Sequence, residues 1–275
     1  IVAHKCRSMH HYIVMDALTR LSGEDAEAWK SMLVFHHPEL LKGAKAPDAE
    51  FKDFKNHVLH VGEGEWGGAR DAATDWYARS VEALAAKKWS KAAYSLGVLS
   101  HYYADPCQPF HTGQTEEEGA IHRAVEWSIA KSRDRIKARI DEPGYPDVPA
   151  GNGAGFVSDM VLAGATKAHK YYDTFIDHYD LHAGMDNPPT GIDETMFEAV
   201  VEMVAYATSG VATIISRAVA EAAVAPPKTS LTLPGYLAAT DVPIRLLSKK
   251  IADATDRHQI EIMYAELQRT GKVVK

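Results

Sequence analysis

An imidazole and a carboxylate recur at helical spacing between residues 101 and 126. His101 and Asp105 are four residues apart, as are His122 and Glu126, so within each pair both side chains would project from one face of a helix. His111 lies between the pairs, in a turn with two prolines that would direct it back toward the same pocket. Nitrogen and oxygen ligands in this mixture favour zinc among the common metals. One such pair alone usually indicates a surface hydrogen bond, but two pairs flanking a Pro-x-His turn predict a metal site.

The elements that must position these residues are helices. Apolar residues recur at helical spacing along most of the chain, and strand signals are weak. We therefore predict an all-α protein with a globular, multi-helix fold. The predicted helices cover residues 10–21, 26–35, 69–86, 91–103, 116–138, 156–179, 194–223 and 245–269, with Ser90 as the N-cap of the fourth. Residues 36–68 and 142–155 are predicted to be loops.

The chain shows no internal repeat and no convincing linker, so we predict a single helical, metal-binding catalytic domain over residues 1–275. Residues 227–275 are a candidate C-terminal helical extension, which would either pack on the core or dock on a membrane. The most apolar run, residues 200–223, is interrupted by Glu202, Arg217 and Glu221. It therefore predicts a buried core helix rather than a membrane span of about 20 apolar residues.

Charge and cysteine content narrow the classes of function. The formal net charge of the 275-residue chain is -7, so counterion release would contribute little to binding a polyanion. No stable nucleic-acid partner is expected. The two cysteines, Cys6 and Cys107, exclude a disulfide-rich scaffold, although they could pair with each other if the chain is exported.

Residues 101–111 resemble the signature His-Tyr-x-x-Asp-x-x-x-Pro-x-His of the zinc-dependent phospholipase C family and keep every fixed position of it. The resemblance continues upstream through residues 69–100. It implies a helical domain that holds three zinc ions. Asp105 matches an aspartate that bridges two of them, and His101 would join that pair. The third zinc ion would be held by His111, His122 and Glu126.

The resemblance also implies ligands from outside this segment. The family uses a histidine early in its first helix, and His10 fits this position better than His11 because of its spacing from the apolar residues that follow. An aspartate and a histidine from the long loop complete the set, and here Asp48 and His57 fit best. His60 stays a rival to His57, because the loop is shorter in this chain than in the family.

The resemblance also implies a metal ligand at the N-terminus. Family members bind one zinc ion through the amino and carbonyl groups of an N-terminal tryptophan. Ile1 would take this role if it is the mature end of the chain, because backbone ligands do not need the indole ring. His4 is the alternative if other residues precede it.

The activity that the resemblance implies is cleavage of the glycerol–phosphate bond of phospholipids by an activated water. Zinc ions lower the pKa of water and polarise phosphoryl oxygens, and Asp48 is the candidate catalytic carboxylate that would orient or deprotonate the water. Phe54, three residues before His57, matches an aromatic residue of the family's choline-binding cage. Ala49 stands where the family often has tyrosine, so a preference for choline stays open.

Glu126 separates two classes of phosphodiesterase that share this fold by resemblance. Single-strand nucleases of the 3'-nucleotidase type usually carry aspartate at this position, so Glu126 favours phospholipase C over this alternative. A non-catalytic helical protein that binds zinc or lipid is a third interpretation. The resemblance further implies a secreted or periplasmic protein that meets its phospholipid substrate at a membrane surface.

Overall fold

Helices account for most of the part of the chain that the computed structural model describes, residues 8–62, 64–229, 257–258 and 260–269. The α-helices are, in chain order, α1 (Met9–Leu18), α2 (Ala26–Phe35), α3 (His37–Ala46), α4 (Ala69–Ala85), α5 (Trp89–Ala104), α6 (Glu116–Lys131), α7 (Arg133–Asp141), α8 (Phe156–His169), α9 (Tyr172–Asp177), α10 (Leu181–Asp186) and α11 (Glu194–Glu221). Residues 257–258 and 260–269 are also helical. The prediction of an all-α fold is confirmed.

Short helical turns and one β-hairpin connect some of these helices. The turns are Pro47–Phe51, which is π-helical, and the 3-10 turns Phe54–His57, Asp105–Cys107, Pro109–His111 and Pro188–Gly191. The hairpin pairs strand β1 (Leu59–His60) with strand β2 (Trp66–Gly67) in antiparallel orientation, so that His60 lies opposite Trp66. Among the described residues, four of the five turns lie in the segments that follow α3 and α5, and these segments carry four of the candidate ligands, Asp48, His57, Asp105 and His111.

Helices α5 and α11 form the centre of the core. Almost every residue of α5 after Lys91 is buried, and α11 packs against α1, α4, α5, α7 and α8. Helix α11 is long and apolar enough to cross a membrane by length and composition, but 72% of its most apolar window is buried inside the protein. It is a core helix of this fold, as residues 200–223 predicted.

Helix α6 carries residues at both ends that favour helix initiation and termination. The Thr115 side chain accepts a hydrogen bond of 3.1 Å from the backbone N–H of Glu118, which satisfies one of the free donors of the first turn. Three glutamates occupy that first turn and Lys131 lies in the last one. Because both arrangements complement the helix dipole, the sequence specifies where this ligand-bearing helix begins and ends.

Helices α3 and α5 touch through their backbones at two glycines. A Cβ atom added to Gly97 would lie 2.1 Å from the carbonyl oxygen of Leu40, and one added to Gly43 would lie 2.1 Å from the carbonyl oxygen of Tyr94. Only glycine permits this distance. The contact places the C-terminal end of α3, and the turn after it, directly over the C-terminal half of α5.

The prediction that residues 36–68 form a loop was wrong, because this region contains α3, two helical turns and the hairpin. Pro38 suggested a break, but proline is tolerated in the first turn of a helix, where its missing N–H has no intrahelical partner. Leu40 and Ala44 lie on the buried face of α3.

Other predicted boundaries also differ. The predicted helix 116–138 is interrupted at Ser132, and the predicted helix 156–179 is interrupted at residues 170–171. Helix α5 begins at Trp89, with Lys88 before it, so Ser90 is not an N-cap. Apolar periodicity continues through both interruptions, which is why the pattern alone could not locate them.

The described part of the C-terminal extension packs on the core. Ile260 is buried in a hydrophobic cluster that contains residues of α6, α9 and α11, and the Tyr264 hydroxyl lies 2.6 Å from Nδ1 of His182 on α10. These contacts favour the packing alternative over a membrane-docking one. The domain boundary at residue 227 stays a prediction.

The α3–α5 contact gives a test of stability. We expect Gly97→Ala to lower the free energy of unfolding by about 1–3 kcal/mol, the usual cost of overpacking, because its methyl group would collide with the α3 backbone. Gly119→Ala on α6 is the matched control. No atom lies within 4 Å of its added Cβ, so it should be neutral or stabilise the helix by up to about 1 kcal/mol. Denaturant unfolding measures both, and a Gly97→Ala protein as stable as the wild type would contradict this account.

Candidate metal centre

The side chains predicted as metal ligands converge from five parts of the fold. Helix α1, the π-helical turn after α3, the 3-10 turn before β1, the end of α5 with its two turns, and α6 each contribute at least one. Within the described residues, three groups of ligand atoms lie within 4.8 Å of one another, namely His10–Asp48–His101, His57–His101–Asp105 and His111–His122–Glu126. All eight side chains are therefore placed where they could share metal ions.

Asp105 connects the first two groups. Its Oδ1 atom lies 3.1 Å from Nε2 of His10. Its Oδ2 atom lies 2.7 Å from Nδ1 of His57 and 3.0 Å from Nε2 of His101. Because the two carboxylate oxygens face different imidazoles, this side chain has the geometry of a ligand that bridges two ions.

Asp48 faces the same imidazoles from the more open side. Its Oδ1 atom lies 3.6 Å from Nε2 of His101 and 3.7 Å from Nδ1 of His57. Its Oδ2 atom accepts a hydrogen bond of 2.5 Å from Nζ of Lys45. The side chain of Asp48 is about one third exposed, whereas that of Asp105 is almost fully buried, so Asp48 is the one accessible to water.

Two spacings in the third group suit a zinc ion. Oε1 of Glu126 lies 3.4 Å from Nε2 of His111 and 3.2 Å from Nε2 of His122. Ligand atoms around a tetrahedral zinc ion with bonds of about 2.0–2.1 Å are separated by about 3.3–3.4 Å. The Glu126 side chain is 49% exposed. Three protein ligands would leave the fourth position of a tetrahedral ion for water, which is typical of catalytic rather than structural zinc sites.

In three of the imidazoles, those of His101, His111 and His122, a hydrogen bond from Nδ1 orients the ring. Each Nδ1–H group has a hydrogen-bond acceptor, and this assigns the lone pair to Nε2, which faces the candidate ligand groups. The acceptors are the carbonyl oxygen of Ala44 for His101 (2.9 Å), the carbonyl oxygen of His57 for His111 (3.0 Å) and the carboxylate of Glu118 for His122. A set of orienting acceptors of this kind is what metal-binding histidines require.

His57 is turned the other way. Its Nδ1 atom faces Asp105, and its Nε2 atom lies 3.4 Å from Oδ1 of Asp53 without forming a hydrogen bond to it. The other oxygen of Asp53 accepts hydrogen bonds of 2.7 Å from the Tyr102 hydroxyl and from Nδ2 of Asn56. These bonds fix the Asp53 carboxylate beside the His57 imidazole.

Opposite charges hold the carboxylates ionised without metal. Burial would raise the pKa of Asp105, but the imidazoles of His101, His111 and His10 outweigh it and hold the pKa well below its usual range. Burial would lower the pKa of His122, but the carboxylates of Glu126 and Glu118 outweigh this effect and raise the pKa to about 10. Metal binding would therefore exchange bound protons for cations.

The same balance holds for the remaining carboxylates. Burial would raise the pKa of Asp48, yet the imidazoles of His101 and His10 and the Lys45 ammonium lower it. Burial would likewise raise the pKa of Glu126, but the two imidazoles of its own group keep it well below the usual range. Both groups are therefore anionic at neutral pH, as ligands of a divalent cation must be.

The structure places each preferred histidine differently from its neighbour in the sequence. His57 lies in a ligand group, whereas His60 lies on β1 with its ring 4.9 Å from that of Trp66. His10 faces Asp105, whereas Nε2 of the buried His11 lies 2.9 Å from the carbonyl oxygen of Leu41. The roles of these residues as ligands stay predictions.

Other predicted residues lie at the rim or outside the described residues. Phe54 is 71% exposed, and its ring centre lies 6.1 Å from that of His57. Cys107 is a buried free cysteine. Ile1, His4 and Cys6 lie outside the described residues, so the predictions that involve them are not addressed.

Three charged residues next to the ligand groups were missed from the sequence. They are Lys45, Asp53 and Glu118, which contact Asp48, His57 and His122 respectively. Each lies three or four residues before its partner, so helical spacing could have indicated all three.

The comparisons with known proteins agree with this fold and site. The family described as zinc dependent phospholipase C matches residues 9–210. Because this match covers well over half of the chain, the chain belongs to the zinc-dependent phospholipase C family. No curated protein matches the chain.

Two clostridial toxins are among the solved structures that share the fold. The alpha toxin from Clostridium absonum is 18% identical with a TM-score of 0.61, and the match covers 79% of this chain and 65% of the toxin. The alpha-toxin of Clostridium perfringens from avian strain SWCP is 12% identical with a TM-score of 0.55, and the match covers 77% of this chain and 61% of the toxin. The chain thus spans less than two thirds of either toxin. At these identities the similarity concerns the fold alone.

The third ligand group gives a direct test of metal binding. We expect Glu126→Ala to lower the zinc content by one equivalent, because it removes the only carboxylate of that group. Elemental analysis after dialysis against a defined zinc concentration measures this content. Glu117→Ala, an exposed residue of the same helix, is the control. An unchanged zinc content in Glu126→Ala would refute the assignment.

Proposed function

We propose that this protein is a zinc-dependent phospholipase C that cleaves the glycerol–phosphate bond of phospholipids. The observation that carries the proposal is that Asp105 presents its two oxygens to different imidazoles, while the third group lies close by. Nδ1 of His111 is only 3.9 Å from Oδ2 of Asp105. Neighbouring sites that share a carboxylate suit phosphoryl chemistry, whereas structural zinc sites are closed by four separate protein ligands.

The proposed ligands would hold three zinc ions. Asp105 would serve one ion with His10, together with Ile1 if it is the mature end, and a second ion with His57 and His101. Asp48 is grouped with His10 and His101 and would complete this pair of sites, while His111, His122 and Glu126 would serve the third ion. When bound, the ions polarise phosphoryl oxygens, lower the pKa of water and neutralise charge in the transition state.

Asp48 is the proposed catalytic carboxylate. It is anionic and partly exposed, with Oδ1 directed at the imidazoles and Oδ2 fixed by Lys45. A carboxylate held in this way can orient an attacking water and accept its proton, because it lies at the border between the buried groups and solvent. Its lowered pKa suits orientation of the water better than strong base catalysis.

The substrate is proposed to enter beside Phe54 and Trp66, which are 71% and 51% exposed. Phe54 begins the turn that carries His57, a proposed ligand, and the Trp66 ring lies beside His60 on the strand after that turn. Exposed aromatic side chains suit contact with a lipid headgroup region. We also propose, from family membership, that the protein acts as a secreted or periplasmic enzyme at a membrane surface.

The function is tested by substrate choice and metal removal. We expect the zinc-loaded protein to release diacylglycerol from phosphatidylcholine vesicles and to leave single-stranded DNA largely intact. Treatment with a chelator should abolish the activity and lower the melting temperature, because bound ions stabilise the folded state. Added zinc should restore both. Rapid cleavage of DNA with no action on lipid would instead identify the nuclease alternative.

The role of Asp48 is tested by replacing one oxygen. We expect Asp48→Asn to lower kcat on the order of 10²-fold or more, because the amide neither accepts the proton nor carries the charge. Glu50→Gln, in the same turn but with a side chain that is 46% exposed and forms no ion pair with a proposed ligand among the described residues, is the control and should retain wild-type kcat. Steady-state kinetics on short-chain phospholipid compare the two. An Asp48→Asn enzyme with full kcat would rule out the catalytic role.

A further inference from the structure

Glu118 is a buried carboxylate within the first turn of α6. It is 5% exposed, and its carboxylate accepts a hydrogen bond from Nδ1 of His122, one helical turn further along. We propose that Glu118 is the positioning residue of the third zinc site, holding His122 in the tautomer and orientation that the metal needs. This inference rests on the proposed function, which assigns His122 as a ligand.

Helical geometry explains how one imidazole meets two carboxylates. Glu118, His122 and Glu126 are spaced four residues apart on α6, so their side chains follow one another along a single face. Nδ1 of His122 faces Glu118, and Nε2 lies 3.2 Å from Oε1 of Glu126. The ring is therefore held between a buried carboxylate on one side and a solvent-exposed one on the other.

The position of Glu118 at the helix N-terminus offsets the cost of burying its charge. Its backbone N–H is capped by Thr115 at 3.1 Å, and the positive end of the helix dipole stabilises a carboxylate in this turn. The hydrogen bond from His122 satisfies one of its oxygens. A buried carboxylate without such partners would be strongly destabilising.

The carboxylate acceptor makes His122 different from the other oriented imidazoles. His101 and His111 donate Nδ1–H to neutral backbone carbonyls, whereas His122 donates to an anion. A carboxylate both fixes the tautomer and raises the basicity of the opposite nitrogen, which strengthens a metal–nitrogen bond. In addition, Glu118 and Glu126 together supply the two negative charges that balance one divalent cation.

Glu118→Gln isolates this role, because it keeps the shape of the side chain. Its amide could still accept from Nδ1, but without charge, or it could turn and donate to Nδ1, which would place the proton on Nε2 and block ligation. Loss of an orienting partner typically lowers metal affinity by about 10- to 100-fold. We expect this loss at one of the three zinc ions and unchanged affinity at the other two.

The experiment is a chelator competition titration of wild type, Glu118→Gln and Glu117→Gln at fixed pH. Glu117 precedes Glu118 and is exposed, so its variant has the same change of charge on the same helical turn. The visible spectrum of the cobalt-substituted proteins is recorded as a second readout, since it reports the ligand geometry of the site directly. Circular dichroism confirms that each variant is folded.

The expected result is that Glu118→Gln weakens one equivalent by about 10- to 100-fold and alters the cobalt spectrum, while Glu117→Gln matches the wild type. Wild-type affinity and spectrum in Glu118→Gln would overturn the inference alone. Loss of all equivalents together with helicity would also overturn it, because Glu118 would then support the fold rather than one site. A wild-type protein that binds no zinc at the third group would overturn both the inference and the proposed function.

Discussion

A carboxylate buried among imidazoles is the constraint on which this structure depends. Asp105 is 4% exposed, and an ionised carboxylate in such a place is unstable unless positive charge and hydrogen-bond donors surround it. Here the donors are imidazoles from α1, α5 and the turn before β1. The helices must therefore meet at this point, and any arrangement that separated them would leave the charge uncompensated.

The contact between α3 and α5 sets the position of the residues around Asp105. Gly43 and Gly97 allow the two backbones to touch, which brings the carbonyl oxygen of Ala44 within 2.9 Å of Nδ1 of His101. The same contact carries the following turn, with Asp48, over the end of α5. A backbone contact in the core thus decides both which nitrogen of His101 faces the site and where the accessible carboxylate lies.

Burial changes systematically across the site. His101 and Asp105 are almost completely buried, whereas Asp48 and Glu126 have about one third and one half of their side chains exposed. The buried residues are held by packing and hydrogen bonds, while the exposed ones are open to water. The candidate site therefore has an enclosed side and an open side, in a chain that belongs to the zinc-dependent phospholipase C family.

Spacing and periodicity in the sequence are enough to predict the fold class and the candidate ligand pairs that share a helix. His101 with Asp105, and His122 with Glu126, are four residues apart, and helix geometry converts that spacing into proximity without any tertiary information. The sequence also favoured His10 over His11 and His57 over His60, but it could not show that both meet Asp105. They do so because α1, the α3–α5 contact and the turns after α3 place them there. Candidate ligands from distant segments are brought together by packing between helices and turns. Neither the residue spacing within a short segment nor the apolar pattern of a single sequence specifies that packing.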